Sequence, residues 1–178
     1  MSLWQFAVEF IPKENLLNYF GEIPEKIDED IYWNEDLAAG VNLPDNYEEF
    51  LSSLGEKEKL KWTPECYNWG DYDDGTHISI DFQDKSKISV DARFHVVELD
   101  KAFIETVLNF AKMCDCVLIS LNRTVFEPEF ELFMEELKQS NSYKFCKDPS
   151  VFLQSDEVKK LNEDIKKRIT DNEFNFNR

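Results

Sequence analysis

The chain has 178 residues and is 42% hydrophobic, with 15 Phe and 4 Trp, which excludes a disordered segment and leaves ample material for one core. Its 37 acidic residues against 20 basic ones give a formal charge of −17. A field of that sign repels nucleic acid and anionic membranes and attracts a basic protein. The expected partner is therefore a basic protein, with no nucleic acid and no membrane, although acidity also serves plain solubility.

Cys66, Cys114, Cys116 and Cys146 are too few and too scattered for a disulfide scaffold. Residues 1–12 carry Glu9, alternate in hydropathy and lack a basic start, so they read as neither a signal peptide nor a membrane span. A cytoplasmic protein with reduced thiols is the expectation.

Residues 3–11 read as a strand. Trp4, Phe6, Val8 and Phe10 share one face, Leu3, Gln5, Ala7, Glu9 and Ile11 the other, and Pro12 ends it. Residues 13–20 make a short helix, with Leu16, Leu17 and Phe20 at helical spacing and Gly21 as its stop. Residues 22–40 are the least regular part, with acids surrounding Ile31, Tyr32 and Trp33. Aromatics set among acids suit a surface that grips a basic partner, which makes Asp30, Tyr32, Trp33, Glu35 and Asp36 a first candidate patch. The alternative is that the aromatics turn inward and the acids line a solvated loop.

Asp45 and Glu48 have the spacing of a capping box, and Tyr47, Phe50, Leu51 and Leu54 form a helical stripe closed by Gly55. Residues 56–60 read as a charged connector, and 62–75 as an aromatic, turn-rich stretch. A hairpin follows. Ile78, Ile80, Phe82, Ile88, Val90, Ala92, Phe94 and Val96 alternate with His77, Ser79, Asp81, Ser89, Asp91, Arg93 and His95, the mark of antiparallel strands with one buried face. Pairing symmetric about Lys85 would set His77 opposite Arg93 and Ser79 opposite Asp91.

Asp100 caps a helix with a broad apolar stripe from Phe103 to Ala111, and Cys116, Val117, Leu118 and Ile119 form a short interior strand. Residues 124–126 extend the sheet as an edge. A second helix starts at Glu127-Pro128, with Phe130, Phe133, Met134 and Leu137 inward and Glu129, Glu131, Glu135 and Glu136 outward. After a mixed segment, Ser155 caps a final helix striped by Val158, Leu161 and Ile165.

The order strand, helix, hairpin, helix, strand is that of a ferredoxin-like split β-α-β unit with added C-terminal helices. The fold class is α+β, an antiparallel sheet with helices on one face. One domain covers 1–178, comprising a body (1–153), a C-terminal helix (154–170) and a frayed tail (171–178).

A catalytic reading starts from the polar sheet face: His77, Asp81, Asp91, Arg93 and His95. Carboxylates with an Arg and a His can bind phosphate or move protons. Any solvated face of an antiparallel sheet has the same composition, so no catalytic residue is assigned. Asp71-Tyr72-Asp73-Asp74-Gly75 is similar to a calcium loop, but its Gly falls one place early and Phe82 stands where a bidentate Glu is needed. Cys114 and Cys116 have no second cysteine pair, so they read as small core residues; no metal and no cofactor is expected. Nucleophile elbows, phosphate loops and basic stripes with interleaved aromatics are missing from the sequence.

Leu43-Pro44-Asp45-Asn46-Tyr47-Glu48-Glu49-Phe50-Leu51 resembles the helix opening of the SMI1/KNR4 (SUKH) cell-wall-regulator-like superfamily. More broadly, Trp69-Gly70-Asp71, the apolar strands and the tail from Ser142 to Leu153 are similar in layout to small acidic bacterial proteins of the immunity type, the antitoxic half of toxin–immunity pairs. The resemblance implies inhibition by occlusion, with an acidic, aromatic-studded surface docked on a basic toxin and no catalytic residue. It adds Asp71, Tyr72, Asp73 and Asp74 as a second candidate patch. The expectation is a non-enzymatic binding protein. The alternatives are a small hydrolase or nucleotide-binding enzyme using the polar sheet face, and a homo-oligomeric assembly subunit.

Overall fold

A computed structural model describes residues 4–32, 35–60, 63, 65–73, 75–84, 87–156 and 158–160, with the backbone alone at 35, 36, 83 and 84. Leu3, Trp33, Trp62, Asp74, Lys85, Leu161, Ile165 and the expected tail at 171–178 lie outside the described residues.

In chain order the elements are β1 (Gln5–Pro12), α1 (Lys13–Phe20), α2 (Glu29–Tyr32), α3 (Glu35–Ala38), α4 (Tyr47–Leu51) with a 3-10 turn (Ser52–Leu54), β2 (Glu58–Lys59), β3 (Cys66–Asp71), β4 (Thr76–Asp84), β5 (Lys87–His95), α5 (Lys101–Met113), β6 (Cys116–Ser120), β7 (Val125–Phe126), α6 (Phe130–Gln139), α7 (Asn141–Lys147) and α8 (Pro149–Leu153). The strands form one seven-stranded antiparallel sheet in the order β2-β3-β4-β5-β1-β6-β7. Its middle, β4-β5-β1-β6, has the neighbour order of the split β-α-β unit expected from the element order. From His77–Arg93 to Phe82–Ile88 the hairpin pairs symmetrically about position 85, with Ser79 opposite Asp91, and the register shifts at Asp84–Lys87.

Alternation on the strands sorts side chains into two layers. Phe6, Val8, Phe10, Trp69, Ile78, Ile80, Val90, Ala92 and Phe94 enter the main core beneath α4, α5 and α6. Aromatic edges hold the helices down: Phe133 of α6 meets Phe6 at 5.4 Å and Phe94 at 4.8 Å, and Phe110 of α5 meets Phe10 at 6.0 Å and Phe50 of α4 at 5.9 Å. Each of the fully buried rings, Phe10, Phe94, Phe110 and Phe133, contributes about 2–3 kcal/mol by removing apolar area from water. A second core lies on the opposite face, where Ile11, Val117, Ile119 and Val125 pack with Leu16, Ile27 and Leu37. Helices thus lie over the first face and, in addition, over the β1–β6–β7 end of the second. β6 is buried on both sides, as its unbroken apolar run requires.

The chain crosses from the second face to the first near Val41. β1 pairs with β5 only as far as Glu9–Asp91, then turns away to follow β6. Val41 donates its N–H to the Ile88 carbonyl (2.9 Å) beyond that last pair, carrying the chain from the second core to the first.

Four local expectations are corrected. Residues 66–71 form a strand, because Tyr67 and Trp69 face the core while Cys66 and Asn68 are buried on the other side; burial on both faces erases the polar alternation. No capping box forms at α4: its cap is Asn46, and the Glu48 carboxylate is drawn instead to Lys57 Nζ (2.7 Å) and the Tyr47 hydroxyl (2.9 Å). Trp4, grouped with the Phe6–Val8–Phe10 face, and Leu17, grouped with the Leu16–Phe20 stripe, are exposed. Glu136, read as outward, is buried and accepts hydrogen bonds from Ser120 Oγ (2.6 Å) and Asn122 Nδ2 (3.2 Å). Other signals hold. Asp100 caps α5 by accepting from Ala102 N and Phe103 N, Gly21 ends α1 in the left-handed region (φ 77°), and Ser155 Oγ accepts from Val158 N. Among the described residues no helix is long and apolar enough to cross a membrane.

Candidate functional site

The polar face of β3, β4, β5 and β1 is where the candidate residues gather. Antiparallel pairing lays them out in rows across the strands: Gly70, His77, Arg93 and Ala7 in one, Asn68, Ser79, Asp91 and Glu9 in the next. A third row sets Cys66 beside Asp81 and Ser89.

Glu9 and Asp91 are direct cross-strand partners. Like charges opposite one another repel, and a neighbouring carboxylate shifts a carboxyl toward its protonated form. Burial raises the Glu9 carboxyl above its usual range; Asp91 adds to this and Arg93 opposes it. Asp91 is pushed up to about 6, first by loss of hydration, with Arg93 opposing and Asp81 adding. The Asp91 side chain keeps 38% of its surface, so it is walled in at the sides and wet from above. Arg93 reaches it along the strand at 3.6 Å from Nε to Oδ2, a long contact for an ion pair.

A small cleft of about 110 Å³ opens over this pair, lined by Glu9, Asp91, Arg93, Tyr32, Ile119 and Leu121. Tyr32, from the first candidate patch, packs against the second core, so this aromatic is turned inward. Its phenol is pushed up to about 12 by burial and then by the Glu9 charge. The cleft therefore joins a residue of the first patch to the polar sheet face. Glu9 was missed as a site residue. Its signal was its place on the outward face of β1, and nothing in the sequence says which strand lies beside it.

The second patch borders the same face from the other side. The Tyr72 ring lies 4.8 Å from the His77 imidazole, and His77 pairs across the sheet with Arg93. His77 is consequently buried, not solvated, and burial depresses it to about 4; Arg93 lowers it further and the Asp71 backbone and charge oppose. Among the described residues neither ring nitrogen finds a hydrogen bond of ordinary geometry, nor does Asn68 Nδ2. Asp71 and Asp73 are exposed, and the Asp71 carboxylate accepts from the Asp73 N–H (3.0 Å), shaping the turn. That turn walls an open groove of about 570 Å³ against Leu54, Gly55, Glu58 and Lys59.

The structure thus brings Tyr32, Tyr72, Asp81, Asp91 and Arg93 to one face. Asp30 is exposed on α2, His95 is half-buried with its N–H donated to Thr76 Oγ1 (2.9 Å), and the side chains of Glu35 and Asp36 lie outside the described residues, as do Trp33 and Asp74. Among the described residues no group of three or more His, Cys, Asp or Glu side chains is placed to hold a metal ion. All four thiols are free. Those of Cys114 and Cys116 are buried and pushed up to about 12, the property of packing groups and not of nucleophiles.

Compared with protein-family models, with curated proteins and with solved structures, the chain gives no match in any of the three. The reading of the site rests on its geometry.

Proposed function

We propose that this chain is a non-enzymatic binding protein that holds a basic partner against the polar face of its sheet, in the manner of an immunity-type inhibitor. The observation that carries the reading is the open cleft where Glu9 and Asp91 stand side by side under Tyr32. Two carboxylates line it with the guanidinium of Arg93, and Asp81 stands one row further along the sheet. A lysine or arginine side chain entering the cleft relieves the repulsion between Glu9 and Asp91 and restores their ionised forms. The flanking Tyr32 and Tyr72 supply the apolar contacts that lengthen a complex, while the chain's charge speeds encounter.

The raised carboxyls also favour a second reading, an acid–base enzyme with Glu9 and Asp91 sharing a proton. The enclosure of His77 beneath Tyr72 argues against the broader quartet of His77, Asp81, Asp91 and His95 as one catalytic site.

The test is affinity capture from the native host's lysate at low and raised salt, using wild type, Asp91→Asn, Tyr32→Ala and a surface control, Lys101→Ala. One basic protein held at both salts by wild type and the control, and released by the two cleft variants, is the expected result. Equal retention by all four proteins would remove the cleft from the reading, and loss of every basic protein at raised salt would leave only generic charge.

A further inference from the structure

Beyond Leu121, which also lines the cleft, a wide groove of about 870 Å³ runs between the β6–β7 turn and helices α6 to α8. Lys26, Arg123, Lys138, Lys144 and Lys160 line it, and among the described residues none that lines it is acidic. In a chain with 37 acids and 20 bases, that concentration of cations is an inversion of the average surface. The sequence hides it, because the five residues come from five separate segments. Between the cations stand amide side chains, Asn122, Gln139 and Asn141, and the floor is apolar, with Phe152 and Leu153.

One wall is rigidly built. Arg123 occupies the left-handed region (φ 67°), where glycine or asparagine is the usual choice. It is held there by its N–H to the Ser120 carbonyl (2.8 Å), its carbonyl to the Ile27 N–H (3.0 Å), and the buried Glu136 that anchors Ser120 and Asn122. Arginine at a strained turn, presented toward a groove, points to a role for its charge. The Glu29 carboxylate pairs with it at 3.9 Å, from Oε2 to the guanidinium Nη1, at the edge of ion-pair range.

We propose that this groove is a second docking site, of opposite charge to the cleft, and that its occupant is an acidic peptide segment of a partner protein carrying an apolar residue for the Phe152–Leu153 floor. Charge complementarity selects an anion. Cations spread along the walls suit a chain of carboxylates better than one phosphate. A nucleic acid would need exposed rings for stacking, and Phe152, the aromatic of the groove, is buried. The net charge of −17 opposes a long polyanion more strongly than a short peptide.

The experiment is fluorescence anisotropy with a short glutamate-rich peptide bearing one phenylalanine, against its glutamine counterpart and a short RNA of equal charge. The proteins are wild type, the reversal Lys26→Glu/Lys138→Glu, and a charge-matched control, Lys101→Glu/Lys112→Glu, each checked for fold by circular dichroism. The acidic peptide should bind wild type and the control alike, and the groove reversal should weaken it about tenfold or more. The glutamine peptide should not compete. Equal weakening by the control, tighter binding of the RNA, or no binding of the acidic peptide to wild type would each overturn the proposal.

Discussion

Glu9 on β1 and Asp91 on β5 face each other as cross-strand partners on the polar side of the sheet, and both carboxyls are raised. His77, one strand further on, is depressed to about 4 on the same sheet. Between about pH 4 and 6 the folded chain keeps a proton on Asp91 that the unfolded chain releases, so this group weakens folding as pH rises through that window. Glu9 acts in the same direction. His77 acts the other way, because below about pH 6.5 the unfolded chain takes up a proton that the folded chain refuses until about pH 4.

Thermal melts from pH 4 to 7 should separate the two. His77→Gln leaves the carboxyl effect, so its melting temperature should fall with rising pH relative to wild type. Asp91→Asn leaves the histidine effect, so its melting temperature should rise from pH 4 to 6.5 more steeply than wild type. Parallel profiles for all three proteins would mean that neither group is enclosed as described.

Gly70 and Gly21 are both left-handed, and they should respond differently to alanine. A Cβ on Gly70 (φ 99°) would sit 2.6 Å from the Thr76 carbonyl oxygen of the paired strand, whereas one on Gly21 (φ 77°) meets nothing within 4 Å. Gly70→Ala should cost about 2 kcal/mol or more in urea denaturation, since backbone must move, and Gly21→Ala about 1 kcal/mol from conformation alone. A smaller loss at Gly70 than at Gly21 would contradict the close approach of β3 and β4.

Asp100 and Asp45 look alike as helix caps in the sequence, yet only Asp100 accepts hydrogen bonds from its helix. Asp100→Ala should lower stability by about 1 kcal/mol, and Asp45→Ala by about 0.5 kcal/mol or less. Equal losses in chemical denaturation would show that Asp45 caps α4 in solution.

The sequence by itself determined the α+β class, the hairpin register about Lys85, the two inner helix stripes, the interior strand at Cys116 and the caps at Gly21 and Asp100. Each follows from local periodicity or from a side chain meeting its own backbone a few residues away. Only the tertiary structure decided which polar residues share a site. Strand order set Glu9 beside Asp91, the Tyr72 turn enclosed His77, and five cations from separate segments converged on one groove. Glu136 went inward for the same reason, because its partners Ser120 and Asn122 arrive from another strand end. Short-range patterning is written in neighbouring residues, whereas a site assembled across strands depends on pairings that no single segment encodes.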